Sequence, residues 1–534
     1  MKRFCAMLDC SRNAVMQVSE IKRFATVLKK FGYNSLMLYT EDTYEVDNEP
    51  YFGYMRGRYS KQELKEIVSY CAEIGMEVIP CIQTLAHLNQ IFRWADYSQI
   101  NDTADILLAG NKRTYELLEN MFRSLRECFS SDYIHVGMDE AHMVGLGKYL
   151  DENGFVNRFE ILTEHLKKVI GLAEKYGFKP VMWSDMFFRL ANHGDYYSSD
   201  PVIPNEAVDF TPKQIGLVYW DYYHEEKSIY DKMFSAHKKF ANEIWFAGGA
   251  WTWSGFAPGN KKTIDTMKPA MQSARENGMD NIIITLWGDN GKECSYYSVL
   301  PSLFAVKKFY DGETDMTRIK ESFKSETGED FDALCSLDIP NYVGKNKTCQ
   351  RNICKYMLYS DPFNGFLDTT VNVRASEEFK TYADKLKRYS VKSKFAYIFD
   401  AESALCEVLS VKYTLGKRTR DAYKAKDKDG IAKLIKDYER AEELLEEFYV
   451  AFKKMWFKEN KPHGFDVQDI RLGGLSRRLR ACRERLEEYY TGLVTEIPEL
   501  DEEILPLYLY GTKIEESDAI DLNNWVVNSS VNVL

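Results

Sequence analysis

Tyr133-Ile134-His135-Val136-Gly137-Met138-Asp139-Glu140 is the stretch whose reading decides the fold. It begins as a short apolar run of the kind that forms a buried strand, and it ends, past a glycine, on two adjacent carboxylates. Seven other runs follow the same plan: 3–9, 34–40, 77–83, 179–187, 215–223, 243–251 and 281–289. Amphipathic stretches at 19–31, 60–74, 114–129, 158–176, 263–277 and 298–309 have apolar residues at helical spacing. Between the fifth and sixth strands the helical pattern is weak.

Eight such units predict an α/β fold, a (β/α)8 TIM-type barrel. An open doubly wound sheet would alternate in the same way, so the strand ends carry the decision. In a barrel the working side chains of every strand collect at the C-terminal ends. Here those ends hold Asp9 and Arg12, Glu41 and Asp42, Gln83 and His87, Asp139 and Glu140, Trp183 and Asp185, Trp220 and Asp221, Trp251 and Trp253, then Trp287 and Asp289. A single acid there is readily a helix cap. Acids and tryptophans at nearly every end point to one shared site.

With 534 residues the chain exceeds one ordinary core. Beyond about residue 340 the alternation stops, and 376–389, 401–425, 430–457 and 471–490 read as long charged amphipathic helices. The expected organisation is a catalytic barrel over 1–335 followed by an all-α C-terminal domain over 336–534. Trp456, Phe457 and Phe465 are expected in the helical core, and a homodimer that shares a sugar pocket stays open.

A hydrophobic share of 45% and a charged share of 28% describe a globular protein, and a net charge of −11 argues against a nucleic-acid partner. The arginines at 471, 477, 478, 480, 483 and 485 alternate with leucines at helical spacing and read as a solvated helix face. No run of about 18 apolar residues suits a membrane span. The opening MKRFCAMLDCSRN lacks the apolar core of a signal peptide, so a cytoplasmic setting is expected. The 11 cysteines are scattered, in keeping with a reducing compartment. The Asn346 and Asn528 glycosylation-like triplets read as chance occurrences. His135 and His142 flank the acidic pair without a metal-ligand spacing, and Asp427-Lys428-Asp429-Gly430 lacks the closing glutamate of a calcium loop. Neither a metal nor an organic cofactor is expected.

Tryptophan faces cover the C–H face of a pyranose, while carboxylates and arginine bind adjacent hydroxyls. Trp183, Trp220, Trp253 and Trp287 could together box one sugar ring, each alone being equally at home in a barrel core. Glycoside cleavage needs an acid for the departing oxygen and a second group to stabilise positive charge at the anomeric carbon. Asp139 and Glu140 could be that pair, because a strand breaking register after Gly137 can aim consecutive side chains at one place, although a bare Asp-Glu pair is more readily an exposed acidic turn.

The segment His135-Val136-Gly137-Met138-Asp139-Glu140 resembles the His-x-Gly-x-Asp-Glu signature of glycoside hydrolase family 20, the hexosaminidases. Leu8-Asp9-Cys10-Ser11-Arg12, Trp183-Ser184-Asp185 and Trp287-Gly288-Asp289 resemble further segments of that family in the expected order. The resemblance covers roughly residues 1–310. It implies an exo-β-N-acetylhexosaminidase acting on terminal N-acetylglucosamine or N-acetylgalactosamine of small glycans. Glu140 would be general acid and then base, and Asp139 would orient the substrate's own acetamido group, which serves as nucleophile. Arg12 would bind ring hydroxyls. Trp183, Trp220 and Trp253 would wall the acetamido pocket, Trp287 and Asp289 would close the far side, and His87 would support the site. The family's small domain before the barrel is missing. Its acetamido-binding tyrosine is replaced on the seventh strand by Gly248-Gly249-Ala250-Trp251-Thr252-Trp253, leaving Tyr219, Tyr222 or Tyr223 to take its place. The competing reading is a non-catalytic amino-sugar receptor on the same barrel.

Overall fold

The first strand, β1 (Arg3–Asp9), hydrogen-bonds to the second, β2 (Ser35–Thr40), and also to the last, β8 (Asn281–Leu286), so the sheet closes. Met7 is in register with Met37 on one side and Thr285 on the other. Between them run β3 (Glu77–Ile82), β4 (Tyr133–His135), β5 (Lys179–Trp183), β6 (Gly216–Trp220) and β7 (Ile244–Gly249), every pairing parallel, in the barrel order β1-β8-β7-β6-β5-β4-β3-β2. This is the (β/α)8 barrel that the alternation predicts. A computed structural model supplies this structure and describes residues 2–192, 194–197, 203, 205–253, 255–344, 349 and 352–505.

The strands are mostly apolar because barrel strands bury both faces. All six residues of β2 and all six of β8 are buried. The helices meet the barrel with one stripe each. In Lys61–Glu73 the buried residues are Leu64, Ile67 and Cys71, and the helix opens on a capping box between Ser60 and Glu63.

Several expected boundaries move. Strand 133–140 ends at His135, because Gly137, Met138 and Glu140 all take positive φ. Strand 179–187 ends at Trp183, after which Asp185–Ala191 turns into a short helix. Helix Lys227–Lys238 has no counterpart in the sequence reading. It buries Tyr230, Met233, Phe234, Ala236 and His237, and its three lysines and Asp231 blur the apolar stripe.

The chain divides into two compact units. The first is Met1–Ala250, Thr263–Trp287 and Ser302–Ile319; the second is Trp251–Lys262, Gly288–Pro301 and Lys320–Leu534. The second unit is helical, with Ala375–Ser390, Ala396–Lys412, Leu415–Lys424, Lys428–Glu459 and Phe465–Thr491 as its main elements. The expected helix 401–425 is thus two, broken at Tyr413 and Thr414. Trp456 and Phe465 are buried against one another with ring centroids 5.6 Å apart, while Phe457 sits at the rim of that cluster, 39% exposed. The basic helix face is largely matched by acids: Arg478 pairs with Asp361, Arg480 and Arg483 with Glu442, and Arg485 with Glu488. Within the same unit the loop 288–294 is held by a fully buried ion pair, Lys355 Nζ to Glu293 Oε1 at 2.8 Å, and by Arg471, which donates to the Asn290 carbonyl at 2.9 Å.

All 11 cysteines stand as free thiols. Among the described residues no helix is long and apolar enough to cross a membrane. Asn346 and Asn528 lie outside the described residues.

Candidate active site

The site in the barrel unit begins where β4 breaks. Gly137 has φ +71°, and a Cβ there would come within 2.1 Å of Gln83 Oε1 and 2.7 Å of the Ile82 carbonyl. Glycine is required on both counts. The close approach lets Gln83 Oε1 accept the Met138 N–H at 3.1 Å, while Gln83 Nε2 donates to Asp139 Oδ1 at 2.8 Å. His135, one turn of the pleat earlier, is wholly buried beside Trp183, ring centroids 4.2 Å apart, and its Nδ1 accepts the Gly137 N–H. Burial holds that imidazole down to about 3, so it is a neutral support. His142 is exposed.

Asp139 is 8% exposed, and its second oxygen, Oδ2, lies 3.2 Å from His87 Nε2. Burial opposes charge on both partners and the ion pair outweighs it. Asp139 is held down to about 2 by His87, Gln83 and Arg12, and His87 is pushed up to about 10 by Asp139. His87 itself takes φ +58°, with its N–H donating to Asp105 Oδ2 at 2.9 Å. Glu140 differs from its neighbour in every respect. Its side chain is 43% exposed, its Oε1 lies 3.6 Å from Arg189, and its backbone N–H donates to the buried carboxylate of Asp185 at 3.1 Å.

Arg12 anchors the opposite side. It reaches Asp9 Oδ2 at 3.0 Å and Glu41 Oε1 at 3.1 Å, and its guanidinium lies over the rings of Tyr39 and Trp287, about 5 Å from each centroid. Tyr39 donates to Glu41 Oε1 and receives Gln83 Nε2–H at 2.9 Å, so a continuous hydrogen-bonded chain joins Arg12 to Asp139. Burial pushes Glu41 up to about 7 against the pull of Arg12.

The aromatic wall is continuous within this unit. Trp183 and Trp287 lie 6.0 Å apart, and Trp220 stacks on Tyr222 at 5.4 Å and 18°. The Tyr222 hydroxyl is hydrogen-bonded by Trp287 and Thr285 and feels the charge of Asp139. Of the three candidate tyrosines it alone faces this group. Tyr219 is buried on the helix side of the barrel with its hydroxyl on Asp221, and Tyr223 is 38% exposed.

The structure therefore brings Asp139, Glu140, Arg12, His87, Trp183, Trp220 and Trp287 together. Trp253 and Asp289 lie on segments of the second unit, Trp253 stacked on Trp251 at 4.0 Å and Asp289 half-buried. The remaining strand-end acids serve locally: Asp42 pairs with Arg56, Asp221 ties Tyr219 and His224, and Asp9 caps its own turn. Sequence reading left Gln83, Glu41, Asp185 and Arg189 out of the site. The first three stood at strand ends, a signal shared with acids that only close turns, and Arg189 carried no signal.

The sequence matches two family descriptions. "Glycosyl hydrolase family 20, catalytic domain" covers residues 5–235, and "Glycoside Hydrolase 20C C-terminal domain" covers 329–518. The chain belongs to glycoside hydrolase family 20. It is 22% identical over 221 residues to Hexosaminidase D of Homo sapiens, covering 40% of this chain and 43% of that one. It is 26% identical over 168 residues to a beta-hexosaminidase of Akkermansia muciniphila, covering 25% of this chain and 33% of that one. This family 20 chain thus spans less than half the length of either relative. Among solved structures it is similar to beta-N-acetylhexosaminidase from Bacteroides fragilis NCTC 9343, with 19% identity, 61% of this chain and 69% of that chain covered, and a TM-score of 0.47.

Among the described residues no group of three or more histidine, cysteine and carboxylate side chains is placed to hold a metal ion.

Proposed function

We propose that this protein is an exo-β-N-acetylhexosaminidase that releases terminal β-linked N-acetylglucosamine or N-acetylgalactosamine from small glycans, with retention. The observation that carries the reading is the contrast between two adjacent carboxylates. Asp139 is buried, ionised and held at both oxygens; Glu140 is 43% exposed, with Arg189 3.6 Å from one oxygen and His87 3.8 Å from the other.

Substrate-assisted hydrolysis asks for those two settings. The 2-acetamido oxygen attacks the anomeric carbon, and the acetamido nitrogen gains positive charge as the oxazolinium ring closes. A fixed anion at Asp139 accepts that N–H and stabilises the charge without reorganising. Glu140 gives its proton to the departing oxygen, then takes one from the water that opens the ring. Tyr222, whose hydroxyl is hydrogen-bonded with Trp287 and Thr285, takes the role of the tyrosine that meets the acetamido oxygen. Trp183, Trp220 and Trp287 enclose the ring and its substituent, and Arg12, tethered by Asp9 and Glu41, meets ring hydroxyls.

The test is nitrophenol release from nitrophenyl β-N-acetylglucosaminide and its galacto epimer by wild type, Glu140→Gln and Asp139→Asn, with the plain glucoside as control. Turnover of the acetamido sugars alone, lost in Asp139→Asn and lowered in Glu140→Gln, most of all when the leaving group is a sugar, supports the reading. Tight binding of the sugars without turnover would establish the receptor instead.

A further inference from the structure

Asp185 and Arg189 take no part in the chemistry just described, yet both point at Glu140. They lie one helical turn apart on Asp185–Ala191, the short helix that replaces the end of the fifth strand. Asp185 is wholly buried. Its Oδ2 accepts the Glu140 N–H and the Arg189 Nε–H, both at 3.1 Å, and its Oδ1 is buried with no hydrogen-bond partner among the described residues. Arg189 extends past it to Glu140 Oε1 at 3.6 Å, donates to the Gly194 carbonyl at 3.1 Å, and rests over the rings of Tyr196 and Trp220. One carboxylate thus holds the backbone of Glu140 while also holding the cation that faces its side chain.

We propose that Asp185 and Arg189 form a positioning strut that orients Glu140 and balances the charge around it. The inference rests on the reading of Glu140 as general acid and base. A left-handed Glu140 at φ +51° is costly for a residue with a side chain; the hydrogen bond from its N–H to Asp185 offsets that cost and fixes the direction of Cβ. The charges act in opposition: the Arg189 cation lies 3.6 Å from Glu140 Oε1, and the Asp185 carboxylate that holds Arg189 Nε–H offsets that cation. The other groups facing Glu140 are His87, 3.8 Å from Oε2, its neighbour Asp139, and His142, which Arg158 braces through its carbonyl. Burial beside Asp139 raises the Asp185 carboxyl to about 7, so its charge develops in the range where a general acid must keep its proton.

The alkaline limb of the kcat/KM profile reports loss of the acid's proton. In Asp185→Asn the amide oxygen still accepts both N–H groups while the charge is gone, and Arg189 acts unopposed; the limb moves to lower pH by about one unit. In Arg189→Gln it moves to higher pH by about one unit, and Arg189→Lys returns it toward wild type. KM for nitrophenyl β-N-acetylglucosaminide changes less than twofold in all three. Opposite shifts, with Glu140→Gln impaired on an N-acetylglucosaminyl disaccharide, support the strut. An impaired Glu140→Gln with limbs unmoved in both charge variants overturns the strut and leaves the acid assignment intact. Wild-type turnover by Glu140→Gln overturns both. If Asp185→Asn fails to fold, the Arg189→Gln and Arg189→Lys pair decides by the same shift.

Discussion

His87 Nε2 stands 3.2 Å from Asp139 Oδ2, and each residue drives the other into its charged form. The His87 imidazole rises from an ordinary 6.5 to about 10, and the Asp139 carboxyl falls from 3.8 to about 2. A raised base contributes stability that is complete below its unfolded pKa and is lost as pH rises through its folded one. A depressed acid contributes stability above its unfolded pKa and loses it as pH falls through its folded one. The pair is therefore worth most between about pH 4 and 6.5. His87→Gln should cost about 2 kcal/mol in that window. The melting-temperature gap to wild type should narrow toward pH 10, and a gap that is constant from pH 5 to 10 would count against the ion pair.

The two carboxylates should fail differently. Nitrophenolate leaves with little help from an acid, whereas a sugar hydroxyl needs a proton. Glu140→Gln should lose about 10²–10⁴ in kcat on an N-acetylglucosaminyl disaccharide and much less on the nitrophenyl glycoside. Asp139→Asn, which weakens the acetamido attack itself, should lose a similar factor on both. Equal losses by Glu140→Gln on the two leaving groups would remove it from the acid role.

Tyr222→Phe should reduce kcat for acetamido substrates by about 10², the scale of a misplaced reacting group. The change is small in volume and leaves the stack on Trp220 in place, so the protein should stay folded, with stability lower by about 1 kcal/mol. Steady-state kinetics beside a thermal melt separates the two effects. Unchanged turnover would return the choice of tyrosine to the open.

Gly137→Ala puts a Cβ on a left-handed residue and into the Ile82 carbonyl and the Gln83 amide. We expect a loss of about 2–4 kcal/mol. Because Gln83 must move, Asp139 loses its 2.8 Å donor, and activity should fall further than stability. Preserved kcat in a destabilised Gly137→Ala protein would show that Gln83 does not set the position of Asp139.

In the helical unit, Lys355→Met leaves Glu293 buried and short of a cation, a change worth about 3–5 kcal/mol. Arg471 stays 3.0 Å from the same carboxylate and limits the loss to the lower end of that range. The double variant Lys355→Met with Glu293→Leu should recover much of it. Denaturant midpoints of the single and double variants give the answer, and equal midpoints for all forms would deny the pair any structural role.

The barrel was legible because strand and helix periods are local properties of the chain. Each of the eight apolar runs became a barrel strand. The motif at 135–140 put Asp139 and Glu140 forward as a pair, since the glycine that breaks the strand and the acids that follow it are contiguous. Helix 227–238 escaped because charged residues interrupt its stripe, and the end of the fifth strand was read too long because Ser184-Asp185-Met186-Phe187 keeps an apolar rhythm while its backbone has turned helical.

Sequence alone, then, determined the alternation and the family likeness, and it singled out Asp139 and Glu140 as candidates. Only closure of the barrel decided which strand-end acids work together. Asp42 and Asp221 look no different from Glu41 and Asp185 in sequence, yet the first two are consumed by Arg56, Tyr219 and His224, while the last two reach Arg12 and Glu140. Charge state was likewise a tertiary matter. Burial and partners distant in sequence keep Asp139 ionised and push Glu41 and Asp185 up to about 7, and neither dielectric nor a neighbour 50 residues away is written in a local pattern.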